Sequence, residues 1–127
     1  MAWIDQPLLT AQGTSYYTVD AAATLILGQP AAKSVGTWAI QIVANGATFS
    51  LTFKARVRGS GLTGANLLGV PYQYLQDGTA IDKLANVAVT DANPGIFYVR
   101  CDFLELAIVV ASVSVANPTI YVLGGPG

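Results

Sequence analysis

Thr48-Phe-Ser-Leu-Thr-Phe-Lys-Ala-Arg-Val-Arg58 is apolar at every second position and polar at the positions between. Phe49, Leu51, Phe53, Ala55 and Val57 share one side, and Ser50, Thr52, Lys54, Arg56 and Arg58 share the other. Successive side chains of a strand point to opposite faces, so this stretch predicts a long β-strand with one buried and one wet face. It also carries three of the six cations in the chain.

Upstream, residues 37–43 alternate in the same way, with Trp38, Ile40 and Ile42 set against Thr37, Ala39 and Gln41. Asn45-Gly46 lies between the two runs, and both residues tolerate the positive φ of a type I′ turn. This spacing predicts an antiparallel hairpin of 37–43 with 48–58, with Trp38, Ile40, Ile42, Phe49, Leu51 and Phe53 facing one core. Further β-type segments fall at residues 15–19, 24–27, 70–75, 86–90, 96–101, 104–113 and 119–123, separated by turns rich in Gly, Pro, Asn and Asp. Pro71 places its segment at a sheet edge or a strand start. Residues 80–89 alone offer a helical option, against which Val87 and Val89 argue. The expected fold is all-β, an antiparallel β-sandwich or jelly roll of about eight to nine strands.

At 127 residues the chain fits one domain: an extended N-terminal arm over residues 1–15 and a single β-sandwich over 16–127. Trp3, Ile4, Leu8 and Leu9 on that arm need a surface to lie on, in their own core or on a neighbouring subunit. Hydrophobic residues make up 53% of the chain and charged residues 10%, against about 25% charged in an average domain. So little charge favours burial of part of the surface in a permanent assembly. The net charge of −1 gives no long-range pull towards nucleic acid or anionic lipid. No basic, apolar leader opens the chain, and its longest aliphatic run, residues 104–113, is far short of the roughly 20 residues of a membrane span. Synthesis and folding in a cytoplasm, with no membrane partner, are expected.

The chain has no histidine, which removes the commonest general base and most zinc and haem sites. Cys101 is the single cysteine and reads as a small buried hydrophobe. Asp77 with Asp82, or Asp102 with Glu105, could pair for acid–base work, but each also reads as a turn or strand-end residue, and Asp82 with Lys83 as a local pair. Gly59-Ser-Gly61-Leu-Thr-Gly64 fits the G-x-G-x-x-G nucleotide fingerprint. That motif needs a long crossover helix, and Gly69 and Pro71 leave no room for one, so it reads as a loop. No catalytic residue, cofactor site or metal site is assigned. The Lys54, Arg56, Arg58 row has no interleaved aromatics and reads as a solvated or interface face, not as a nucleic-acid strip. Tyr72 and Tyr74, with Tyr16, Tyr17 and Tyr98 elsewhere, fit either interface anchors or a carbohydrate platform.

Trp38-Ala-Ile-Gln-Ile, Phe49-Ser-Leu-Thr-Phe-Lys-Ala-Arg-Val-Arg-Gly-Ser-Gly, Val70-Pro-Tyr-Gln-Tyr-Leu, Gly95-Ile-Phe-Tyr-Val-Arg and Asn117-Pro-Thr-Ile-Tyr-Val, in that order, resemble small β-sandwich virion proteins of tailed bacteriophages. The resemblance covers roughly residues 35–123. It implies a non-enzymatic structural protein of the virion, a head decoration or cement protein that binds the major capsid protein on the capsid exterior and stabilises the shell. It further implies a homo-oligomer, commonly a trimer. Trp3, Ile4, Leu8, Leu9, Lys54, Arg56, Arg58, Tyr72 and Tyr74 are the candidate subunit or capsid contacts. The alternative is a tail-associated or free carbohydrate- or receptor-binding β-sandwich module.

Overall fold

In the computed structural model, which describes residues 8–9, 15–27 and 36–124, the alternating stretch forms one continuous strand, Thr48–Val57. Phe49, Leu51, Phe53 and Ala55 are buried, as the two-residue period requires. Val57, expected beside them, is 62% exposed because it ends the strand at the rim of the molecule.

The described residues form twelve strands in chain order: β1 (Leu8–Leu9), β2 (Ser15–Thr18), β3 (Ala23–Ile26), β4 (Thr37–Val43), β5 (Thr48–Val57), β6 (Leu68–Gly69), β7 (Tyr72–Gln76), β8 (Thr79–Lys83), β9 (Val89–Thr90), β10 (Ile96–Arg100), β11 (Leu104–Ser114) and β12 (Thr119–Gly124). They form two antiparallel sheets. One has seven strands in the order β1-β2-β12-β4-β10-β7-β8; the other has five, β3-β11-β5-β6, with β9 also paired to β5. The total exceeds the eight to nine expected because β1, β6 and β8 are added: β1 and β6 are two-residue strands too short to show a period, and of the expected segment 86–90 only Val89–Thr90 is strand. β8 lies where a helix was the open option. Asp77 (φ 49°) and Gly78 (φ 81°) form a type I′ turn that folds Thr79–Lys83 back on β7. Among the described residues the helical structure is a single 3-10 turn at Gly64–Asn66.

The chain passes repeatedly from one sheet to the other. The order β2-β12-β4-β10 facing β3-β11-β5-β6 is that of a jelly roll. This overturns the expected hairpin of residues 37–43 with 48–58. Asn45 (φ 55°) and Gly46 (φ 79°) do form the type I′ turn, closed by the Ala47 N–H donating to Ala44 O at 2.9 Å. Yet β4 pairs with β12 and β10, whereas β5 pairs with β11, so the turn is an arch between sheets. Asn45 Nδ2 anchors it to Asn117 O (3.2 Å) and Thr119 Oγ1 (3.0 Å) at the start of β12. An arch lets the apolar faces of two successive strands oppose each other across a core; a flat hairpin would set them side by side.

That core holds Ile40, Ile42, Phe97, Val99, Ile120 and Val122 from the larger sheet against Phe49, Leu51, Phe53, Leu106, Ile108 and Val110 from the smaller. Aromatic rings join the sheets, with Phe53 meeting Tyr72 edge-on at 5.0 Å between centroids and Phe97 at 5.7 Å, while within the larger sheet Tyr74 stacks on its cross-strand partner Phe97 at 5.0 Å. No polar or charged side chain is buried among the described residues.

Candidate functional site

Strands that bury one face turn the intervening side chains outward, and on the seven-stranded sheet these outward positions are largely apolar or aromatic. Cross-strand registers place Tyr16, Tyr121, Gln41, Ile96, Leu75 and Ala80 in one row across the sheet. The next row is Leu123, Ala39, Tyr98, Gln73 and Asp82. Tyr16 and Tyr121 pair at 5.6 Å between centroids, tilted by 34°. A shallow hollow of about 240 Å³ opens between Ala39, Gln41, Ile96, Tyr98, Tyr121 and Leu123. Leu123 and Tyr98 are exposed.

Where β4, β10, β7 and β8 meet at one corner of this face, a larger groove of about 580 Å³ is lined by Thr37, Pro71, Tyr72, Gln73, Asp82, Lys83, Leu84, Tyr98 and Arg100. Gln73 Nε2 donates to Asp82 Oδ1 at 3.0 Å, so Asp82 is tied to its cross-strand neighbour and not, as its sequence position suggested, to Lys83. Arg100 Nε donates to Asp102 Oδ2 at 2.6 Å. The Tyr98 hydroxyl and the Lys83 ammonium have no hydrogen-bond or ion-pair partner among the described residues.

The residues singled out from sequence are dispersed. Trp3 and Ile4 lie outside the described residues, while the Leu8–Leu9 backbone pairs with Ser15–Tyr16 at the edge of the larger sheet. Lys54 and Arg56 do point outward from β5 and are half-buried; Arg58 lies just beyond the strand and is exposed. Arg56 is engaged within the chain, pairing through Nε with Glu105 Oε1 at 3.1 Å and donating from Nη1 to Leu62 O at 2.8 Å. Tyr72 and Tyr74 are 6% and 9% exposed and belong to the core. Their hydroxyls donate to Val87 O (2.9 Å) and Pro94 O (3.2 Å), so neither ring forms a surface platform. β7 turns its tyrosines inward because they alternate with the outward Gln73.

The carboxylates considered for acid–base work each hold local structure. Asp102 Oδ1 accepts the Gly36 N–H (3.2 Å), and Glu105 Oε1 accepts the Gly59 N–H (3.2 Å) besides Arg56. No group of three or more His, Cys, Asp or Glu side chains that could hold a metal occurs among the described residues. Gly59 to Gly64 forms the loop between β5 and β6, followed only by the 3-10 turn, which gives a phosphate no helix to sit on. Cys101 is buried, and its thiol is pushed up to about 12 by that burial and, secondarily, by the charge of Asp102. Burial likewise raises the phenols of Tyr17 and Tyr72.

Sequence reasoning missed the outer face of the larger sheet, although β10 carried the signal. Ile96, Phe97, Tyr98 and Val99 are apolar or aromatic on both faces, which a strand with one wet side does not need. Comparison with known proteins finds no match to any protein-family model, any curated protein or any solved structure.

Proposed function

We propose that the protein is a non-enzymatic structural module that assembles with copies of itself through the outer face of the seven-stranded sheet. One observation carries this reading: Tyr16, Tyr121, Leu123, Ala39 and Ile96 line adjoining rows of an outward face whose charged members, Asp82 and Arg100, lie at one corner. A face with almost no charge brings no like-charge repulsion when copies meet, and aromatic and aliphatic side chains are the usual anchors of such contacts. The engagement of Asp102, Glu105 and Asp82 in local hydrogen bonds supports a role without catalysis.

The resemblance to bacteriophage virion proteins gives this module its setting: a trimeric head decoration or cement protein on the capsid exterior, bound to the major capsid protein. Jelly rolls serve viral capsids among other roles, so the fold suits this setting without selecting it. Trp3, Ile4, Leu8 and Leu9 of the N-terminal arm are then the contacts towards the shell or a sister subunit. The test is the native mass in dilute solution. A stable trimer that Leu123→Arg converts to a folded monomer is expected; a monomeric parent protein overturns the reading. Deleting residues 2–12 is expected to weaken trimer formation or shell binding, and no change in either excludes the arm.

A further inference from the structure

We infer that the corner groove of the seven-stranded sheet binds a carboxylated pyranose, the ring lying on Tyr98 and the carboxylate held by Lys83 and Arg100. Its volume of about 580 Å³ falls in the range of small-ligand sites, roughly 300–1,000 Å³. Tyr98 is 38% exposed and differs from its buried neighbours on β7 in one decisive respect: their hydroxyls are engaged, and its own has no partner among the described residues. An exposed ring with a polar tip suits a sugar, whose C–H face stacks on the ring while its hydroxyls find polar groups at the rim. Those groups are present. Gln73 and Asp82 are fixed together at 3.0 Å, which leaves the second carboxylate oxygen and the amide oxygen free to accept from sugar hydroxyls.

The charge of the groove selects an acidic sugar. Lys83 is half-buried, opposite Tyr72 in the strand register, and makes no ion pair among the described residues. A cation in that setting gains from a bound carboxylate. Arg100 is held by Asp102 through Nε, so its terminal nitrogens remain as donors. Asp82 lines the same wall and repels a doubly charged phosphate about twice as strongly as a single carboxylate, so the singly charged sugar is the better fit.

The intact protein is titrated by NMR with methyl β-D-glucuronide, methyl β-D-glucoside, the methyl glycoside of N-acetylneuraminic acid and inorganic phosphate. At least one acidic glycoside is expected to shift the Tyr98, Gln73 and Asp82 resonances and to bind about tenfold tighter than the neutral glucoside, a preference that weakens with salt. The ratio of the two acidic probes tells a uronic acid from a sialic acid. Lys83→Gln is expected to erase the acidic preference, and Tyr98→Ala to abolish binding of every glycoside while Tyr98→Phe retains it. Should Tyr98→Ala fail to fold, the Lys83→Gln comparison decides. No response to any glycoside, equal binding of acidic and neutral sugars, or tighter binding of phosphate overturns the inference. Tyr98 borders both surfaces, so the titration is repeated on Leu123→Arg: glycoside binding by that variant keeps this inference whatever becomes of assembly, and assembly that persists in Lys83→Gln keeps the other.

Discussion

Arg56 and Glu105 stand directly opposite each other on β5 and β11 and meet at 3.1 Å, with side chains only 16% and 19% exposed. The same carboxylate oxygen accepts the Gly59 N–H, and the same guanidinium reaches Leu62 O. The pair therefore does two things: it ties two central strands and it fixes the glycine-rich loop after β5. Glu105→Ala leaves the half-buried guanidinium and the Gly59 N–H without their acceptor. We expect a loss of about 1–3 kcal/mol in urea unfolding, with Arg56→Ala in the same range and the double variant less than additive.

Gly69 and Asn86 approach so closely that a Cβ on Gly69 would collide with the Asn86 carboxamide. Gly69 is in β6, paired with Lys54, so it cannot retreat without giving up the β5 edge. Gly69→Ala is expected to lower the thermal midpoint, by the equivalent of about 1 kcal/mol, because the exposed Asn86 side chain must turn away. Asn86 has a φ of 66°, which glycine also adopts, and Asn86→Gly should restore most of the loss by clearing the space. No recovery in the double variant would place the cost elsewhere.

Val115 is the centre of a three-residue turn, with the Ala116 N–H donating to Ser114 O at 2.9 Å and a φ of 77°. A β-branched residue there is strained, and at 88% exposure it gains almost nothing from packing. Val115→Gly is expected to stabilise the protein by about 1 kcal/mol in chemical denaturation, strain relief outweighing the entropy of the added glycine. A destabilised variant would show that Val115 makes a contact in the assembled protein or in the chain that outweighs its strain.

Cys101 gives the pH dependence. Its thiol is raised to about 12 in the folded protein, against an ordinary value near 9.0. Between those values the folded chain keeps the proton that the unfolded chain releases, so stability is full below about pH 9 and falls as pH rises towards 12. The raised phenols of Tyr17 and Tyr72 act in the same direction at higher pH. Cys101→Ala should flatten the first part of this decline in denaturant midpoints measured from pH 8 to 11, and the native thiol should resist a disulfide reagent at pH 8 until the protein unfolds. Rapid labelling without unfolding would contradict the burial.

The strands legible in the sequence are those with a clean period and a one-sided environment. β5, β10 and β12 lie close to where alternation places them, and Pro71 marks the approach to β7 as its missing N–H requires. Partnership was not legible where two arrangements satisfy the same pattern. The run through Asn45-Gly46 fits a hairpin and an arch equally well locally, and the distant strands β11 and β12 decide between them. The burial of Tyr72 and Tyr74 is hidden for a related reason. Their polar neighbours give Tyr72 and Tyr74 the look of surface aromatics, but a tyrosine alternating with glutamine in a strand beside Phe97 is a core residue with a hydrogen-bonded tip. Tyr98 is on the opposite face of its strand from Phe97, and only the cross-strand register shows which residues join it.

The arch at Asn45-Gly46 also governs how the protein comes into being. Because it sends neighbouring strands to opposite layers, β4 must await β12, so Val43 finds Thr119 only after more than half the chain has been made. On the ribosome, then, the smaller layer must wait for β11 and the larger for β12, and until each emerges the nascent chain carries unpaired strand edges. Slow maturation follows from such distant pairing, and loss of β12 would part β1 and β2 from the rest of the larger sheet.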